Sequence, residues 1–215
     1  MEEYLKPAKY IDSDHTEIIN FVNKHIDTSK SQKENIVILY YAIRDGWRYD
    51  PYKLDFSDSG LKASNLFSRN HAYCIEKAAL LAASARICNI PSRLGFANVR
   101  NHIGTTKYEE ILGSDILVFH GYTELFLEGN WLKATPAFNK ELCKHLGVQP
   151  LDFDGETDSI FQEYDNQGGR YMEYLKDHGH FSDIPKEKLL TELRREYPLC
   201  FEYPTLDTHG ISITF

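Results

Sequence analysis

Two residues in this chain have the types and surroundings for covalent catalysis. Cys74 stands where a polar loop meets an Ala-rich run, and His120 stands at the head of a β-rich run. A thiol attacks only as thiolate, and with an ordinary pKa near 8.5 only a few per cent of it is ionised at pH 7. Cys74 opens the run CIEKAALLAASARIC, so the unpaired N–H groups and positive dipole end of a helix starting there favour its anion. A base must also hold the thiol proton and return it to a leaving group, and histidine is the side chain matched to neutral pH. Unassisted, a free cysteine is ordinarily a small buried hydrophobe. Cys88, Cys143 and Cys200 have no basic partner nearby and read as core or surface thiols, so Cys74 is expected to be the most reactive of the four.

The elements that must position this pair read as an α+β chain. Asp14-His15-Thr16-Glu17 has the form of a capping box ahead of Ile18, Phe21, Val22 and Ile26 on one face, predicting a helix over 14–26. Ser31 and Glu34 repeat the pattern before Ile36, Val37, Leu39, Tyr40 and Ile43, and Gly46 closes a helix of about 32–45. The stretch from Trp47 to Asn70 holds no sustained period and reads as a long surface loop. The run from Cys74 to Cys88 is a helix buried on most sides, stopped by Asn89 and Pro91. Arg93 to Val99 is a strand, and the apolar run from Ile116 to Leu127 forms a hairpin with Trp131 to Thr135 through a turn at Glu128-Gly129.

Beyond Pro150 the chain reads as acidic and irregular until Pro185, which opens a last helix carrying Leu189, Leu190 and Leu193. Within it, residues 152–158 place Gly155 at the fourth rather than the sixth position with no closing Glu, the pattern of an acidic turn and not of a calcium loop. Phe153, Phe161, Tyr164, Tyr171, Tyr174 and Leu175 make this segment too apolar for a solvated tail. Residues 1–215 are therefore expected to form one domain, with 146–215 packed on a core of about 32–145.

Composition bounds the rest. The chain has 215 residues, 42% of them hydrophobic, and a net charge of -8. That length buries roughly 70% of the unfolded surface, and the composition excludes the disordered, collagenous and disulfide-scaffold classes. No basic run is dense enough to track phosphates, so no nucleic-acid partner is expected. No segment of 18 apolar residues occurs, and the opening MEEYLKPAKY is no signal peptide, so a cytoplasmic chain without a membrane partner is expected. The cysteines form no CxxC pair and have no histidine at ligand spacing, which predicts free thiols and no metal site. Walker, dinucleotide and GxSxG motifs are absent, so no cofactor is expected.

Three blocks carry a resemblance. Asn70-His71-Ala72-Tyr73-Cys74 with Lys77 through Ala83, then Ile90 through Phe96, then His120 through Leu127 with Gly129, Trp131 and Thr135-Pro136, resemble in order the transglutaminase-like superfamily over about residues 36–140. Arg44 through Pro51 resembles its upstream segment. The resemblance implies a papain-like fold, with a Cys-bearing helix packed on an antiparallel sheet and His and Asp on adjacent strands. Two residues depart from it: Ala72 replaces a usual Gly, and Thr135 replaces the usual Asp. A hydroxyl accepts a hydrogen bond without supplying charge.

With a two-residue turn at Glu128-Gly129, His120 faces Ala137 and Thr135 faces Tyr122, so His120 and Thr135 share one face as diagonal neighbours. Asn139 lies on that face too and is the alternative orienter, since Asn is the third member in papain-like proteases. The resemblance makes Trp47 an oxyanion candidate, with Tyr73 beside the thiol as another, while His71 and His102 read as solvated loop histidines near the cleft. What it implies is cysteine-dependent acyl transfer on a peptide, protein or small amide, by hydrolysis rather than transamidation because water needs no second substrate site. The competing expectation is a binding or scaffold module with a degenerate site, which the Asp-to-Thr departure permits.

Overall fold

A computed structural model of the chain describes residues 1–102, 110, 113–161, 164–198, 201 and 212–214. Helix α1 (Thr16–His25) is capped by His15, whose Nδ1 accepts the Glu17 N–H, and so starts later than the capping-box pattern at Asp14 suggests. Helix α2 (Gln32–Gly46) has the expected box: Ser31 Oγ accepts the Glu34 N–H at 3.2 Å and the Glu34 carboxylate accepts the Ser31 N–H at 2.8 Å. The Trp47–Asn70 stretch is not a surface loop. It carries strands β1 (Arg48–Tyr49) and β2 (Lys53–Asp55) and a 3-10 turn over Ala63–Ser68, and Trp47, Tyr49, Leu54, Phe56, Leu61 and Leu66 are buried. These strands are too short for a period to show, and they pair in parallel with distant partners: β1 with β3 (His71–Ala72), and β2 with the C-terminal Ser212–Thr214.

Helix α3 (Cys74–Ile87) is the central element, buried from Cys74 through Arg86. Its small alanines let it lie close on the sheet, and Asn89 at φ 56 ends it before Pro91. The sheet has the order β6-β5-β4-β7, built from β4 (Ser92–Asn101), β5 (Ile116–Leu127), β6 (Asn130–Ala134) and β7 (Met172–Phe181), all antiparallel. Helices α4 (Lys140–Leu146) and α5 (Lys186–Glu196) follow β6 and β7. The architecture is thus α+β, with the Cys-bearing helix packed on an antiparallel sheet. Strand β7 corrects the irregular reading of the chain beyond Pro150. Its register on β4 is broken twice and its exposed positions Leu175, Lys176 and Asp177 are consecutive, which hides the two-residue period. No helix among the described residues is long and apolar enough to cross a membrane.

Three charged side chains of α3 lie inside and tie other segments to it. Lys77 Nζ donates to the carbonyls of Arg44 at 2.8 Å and Ala137 at 2.9 Å, joining the end of α2 to the chain just past the hairpin. Arg86 donates to the carbonyls of Lys6 at 2.6 Å, Ser92 at 3.0 Å and Ser182 at 2.6 Å. Glu76 pairs with Arg69 and accepts the Tyr73 N–H at 2.7 Å. Each bond satisfies a carbonyl or N–H that burial would otherwise leave without a partner.

Residues after 145 contribute β7 and the buried Phe153, Tyr171, Leu189, Leu190 and Leu193. At about 1.5–3 kcal/mol for each buried side chain, these five are together comparable with a whole domain's stability of about 5–15 kcal/mol. Limited proteolysis is therefore expected to yield no stable fragment ending near residue 145. A soluble 1–145 chain with dispersed amide NMR signals would contradict this.

Candidate active site

Cys74 is the first residue of α3 and is fully buried. Its Sγ faces the backbone N–H groups of Gly121 on β5 and of Ile75, with the Tyr73 hydroxyl beside it, and all three favour the thiolate. Burial outweighs them and pushes the thiol up to about 12, so near pH 7 the sulfur keeps its proton. Gly121 makes the approach possible, because a Cβ there would stand 3.0 Å from Ile75 Cα. The seam continues at Thr123, whose hydroxyl donates to the Ala78 carbonyl at 2.8 Å. On the opposite face of β5, the Tyr122 ring covers Gly95.

His120 is 3% exposed, and burial alone pushes its imidazole down to about 4. The hairpin has the expected register: Leu127 pairs with Asn130 and Thr123 with Ala134, with Glu128 at φ 49 and Gly129 at φ 90 in the turn. The ladder ends at Ala134. Thr135 then donates its N–H to the Ser159 carbonyl at 2.9 Å and accepts the Tyr40 hydroxyl on its own carbonyl at 3.1 Å. His120 and Thr135 line one narrow void together with Ala137, Phe138 and Leu151. Among the described residues, the buried His120 Nδ1 and Thr135 Oγ1 have no hydrogen-bond partner. The chain thus brings Cys74 to the residue following His120, and Thr135 to the same void as His120. Among the described residues no hydrogen bond links the three side chains.

A device that sequence reasoning missed sets the backbone at His120. Phe119 adopts φ 58, where β4 and β5 slip register between Ala97 and Val99. An aromatic residue in this left-handed region costs about 1–3 kcal/mol and needs support. Asn98 supplies it: Oδ1 accepts the Phe119 N–H at 3.1 Å and bonds His178 Nε2 at 2.8 Å, and an oxygen that can only accept makes Nε2 the protonated nitrogen. The Phe119 ring stacks on Phe96 at 4.7 Å and lies 4.5 Å from His178. The one signal in the sequence was an Asn inside an apolar strand.

Two candidates are committed elsewhere. Asn139 precedes α4, its Oδ1 accepts the Tyr49 N–H at 2.9 Å, and its Nδ2 donates to Glu141 at 2.8 Å, so its amide is engaged away from His120. Trp47 Nε1 donates to the carbonyls of Leu66 at 2.8 Å and Arg69 at 3.0 Å, with its ring packed on Phe21 and Phe67. Tyr73 does stay beside the sulfur, its ring 5.8 Å from that of Tyr49. His71 lies in β3 and His102 sits 3.5 Å from Glu173. Cys88 is half-buried and Cys143 buried, and Cys200 lies outside the described residues.

The profile of the transglutaminase-like superfamily matches residues 19–136, and the chain belongs to that superfamily. Among solved structures it is similar to a candidate cysteine protease from Cytophaga hutchinsonii, at 16% identity with a TM-score of 0.47 over 83% of this chain and 53% of that one. It is also similar to a candidate protease from Parabacteroides distasonis, at 16% identity with a TM-score of 0.39 over 62% of this chain and 25% of that one. The chain thus spans about half the length of the first and a quarter of the second. No curated protein matches it.

Two measurements follow from the burial of this site. His120 releases its proton at about 4 when folded and near 6.5 when unfolded, so the unfolded chain binds more protons between those values. The stability it contributes is complete above 6.5 and is lost as pH falls toward 4, by on the order of 3 kcal/mol. Glu76, raised to about 7 by burial, works in the opposite sense over much of this range. Urea unfolding of His120→Gln should therefore show a flatter acid limb than the native chain, and equal slopes would refute the buried neutral imidazole. Gly121→Ala should cost about 1–3 kcal/mol in the same assay, because Ile75 backbone must yield to the new methyl. An unchanged midpoint would mean that α3 does not close on β5 there.

Proposed function

We propose that the chain is a cysteine-dependent acyl-transfer enzyme that hydrolyses an amide bond of a peptide, protein or small molecule. The observation that carries this reading is Cys74 at the start of α3, with Sγ against the backbone of the residue following His120, in a chain of the transglutaminase-like superfamily. Cys74 Sγ attacks the amide carbonyl, and its proton passes to His120 once a rearrangement brings to the sulfur an imidazole that at rest lies on the β5 face away from α3. The Gly121 and Ile75 N–H groups that face the sulfur are the nearest donors for developing negative charge. The C–N bond breaks as His120 returns the proton to the amine, leaving a thioester. Water then attacks the thioester, giving the carboxylic acid and regenerating the thiol. Thr135 is the positioning residue for His120, and a reducing compartment such as the cytoplasm keeps the thiols free.

A second reading, a binding or scaffold module without catalysis, is favoured by the burial of Cys74 and His120 in their neutral forms with Thr135 in place of a carboxylate. Alkylation by iodoacetamide at pH 6–7 separates the two readings. Under the enzymatic reading Cys74 is labelled faster than Cys88, although Cys88 is the more exposed, and Cys74→Ala removes amide hydrolysis without lowering the melting temperature. A Cys74 that stays unlabelled while Cys88 reacts supports the module. Thr135→Asp should raise the His120 pKa from about 4 toward its ordinary 6.5, read from the imidazole NMR titration. An unmoved titration would show that the side chain at 135 does not face the ring.

A further inference from the structure

A bulge in β5 immediately before His120 decides which face of the strand the imidazole takes. Ala97 pairs with His120 and Val99 with Leu117, so between them β4 has Asn98 alone where β5 has Val118 and Phe119. Both N–H groups of the bulge donate to side chains, Phe119 to Asn98 Oδ1 at 3.1 Å and Val118 to the Tyr197 hydroxyl at 2.9 Å. Tyr197 in turn donates to the Ile116 carbonyl, and Asn98 is itself held by His178 Nε2 at 2.8 Å. The strained residue is Phe119, at φ 58, although Gly121 two positions on could take a left-handed conformation freely.

Paired residues share a face, so Phe96 lies with its partner Gly121 on the α3 side, and the Phe119 ring stacks on Phe96 at 4.7 Å. His120 and its partner Ala97 face the other way. Strand side chains alternate with a period of two, so carrying the extra residue from opposite Asn98 to opposite Phe96 exchanges the faces of Phe119 and His120. Phe119 then pairs with Ala97, while His120 and Gly121 lie together opposite Phe96. Leu117 keeps Val99 and Tyr122 keeps Gly95, so the hairpin and the bond from Thr123 to Ala78 are untouched. The two positions have opposed advantages: one has the acceptors of Asn98 and Tyr197, the other a glycine where the backbone bends. We infer that this bulge is a two-position switch held at rest by Asn98, and that its moved position is the one that turns the imidazole to the side of β5 where Cys74 lies. Asn98 is then a positioning residue, acting on His120 through the Phe119 backbone. The switch rests on the acyl-transfer reading only in taking His120 as the base for Cys74.

His120→Cys tests the movement without any substrate. At rest the introduced thiol faces away from Cys74. With oxidised glutathione as the oxidant, a disulfide from position 120 to Cys74, read by mass spectrometry of unreduced peptides, is expected to form through the moved bulge. Adding Asn98→Ala leaves the buried Phe119 N–H without its acceptor and should speed the bridge about tenfold. Asn98→Asp keeps an oxygen for both donors and should leave the rate as in His120→Cys alone. Absence of the bridge in His120→Cys overturns the switch even if Asn98→Ala fails to fold. An equal rate with Asn98→Ala, or a rate raised as much by Asn98→Asp, overturns Asn98 as its holder. With His120 in place, Asn98→Ala should also speed iodoacetamide labelling of Cys74 at pH 7 about tenfold and leave Cys88 unchanged. Equal acceleration of both thiols would show general loosening and overturn the switch. Amide hydrolysis that Cys74→Ala abolishes, in a chain that forms no bridge, would sink the switch and leave the acyl-transfer reading standing. A bridge that obeys Asn98, without any Cys74-dependent turnover, would uphold the switch and sink that reading.

Discussion

The contact on which the rest depends is the approach of α3 to β5 at Ile75 and Gly121. With a side chain at 121 the helix would meet it at 3.0 Å from its own backbone, so the bare glycine sets how near Cys74 can come to the strand. Once that distance is fixed, the Gly121 N–H faces the sulfur and the neighbouring residue is necessarily His120. The Ala-rich composition of α3 serves the same end, because small side chains allow a helix to be surrounded on all sides. The cost is electrostatic. A helix this deeply buried desolvates whatever titratable group it carries at its start, and the nearby N–H groups and hydroxyl do not offset it.

The buried charges of α3 belong to the same constraint. A helix enclosed by segments from Lys6 to Ser182 lies beside many carbonyls that no strand or helix partner satisfies. Lysine and arginine bring several donors on one long stem, so Lys77 and Arg86 each close two or three such gaps. Lys77 also links chemistry to packing. It anchors the Ala137 carbonyl, two residues past Thr135, while Ser159 holds the Thr135 N–H, so the backbone that carries the hydroxyl is fixed at both ends.

What was legible in the sequence were the elements with strong local signals. Ser31 and Glu34 announced α2, the unbroken alanine run announced α3, and Glu128-Gly129 fixed the hairpin register well enough to place His120 and Thr135 on one side. The missed features depend on partners remote in sequence. Two- and three-residue strands such as β1 and β2 have no period to detect and exist because β3 and Ser212–Thr214 lie beside them. Asn98 looked like an ordinary strand residue, yet it supports a left-handed Phe119 only because His178 comes in from β7. For Asn139 and Trp47 the residue types were suited to the expected roles, but their donors and acceptors are taken by Tyr49, Glu141, Leu66 and Arg69. Composition reveals which hydrogen bonds a side chain can make, and the fold decides which it does make.

Thr135 gains its meaning from this burial. A carboxylate at that position would face the same low-dielectric void as His120 and would need the imidazolium to offset its own desolvation. Each charge would be tolerable only in the presence of the other. A hydroxyl needs no such partner, so the pair can remain neutral while the void is closed, which agrees with an imidazole held down at about 4 and a thiol held up at about 12. In a site of this kind the resting state is stable because it is uncharged, and any chemistry must begin with a change of surroundings that lets charge form. Among the described residues, burial leaves His120 Nδ1 and Thr135 Oγ1 unpaired, and such unmet hydrogen-bonding capacity lowers the cost of a rearrangement that gives them partners.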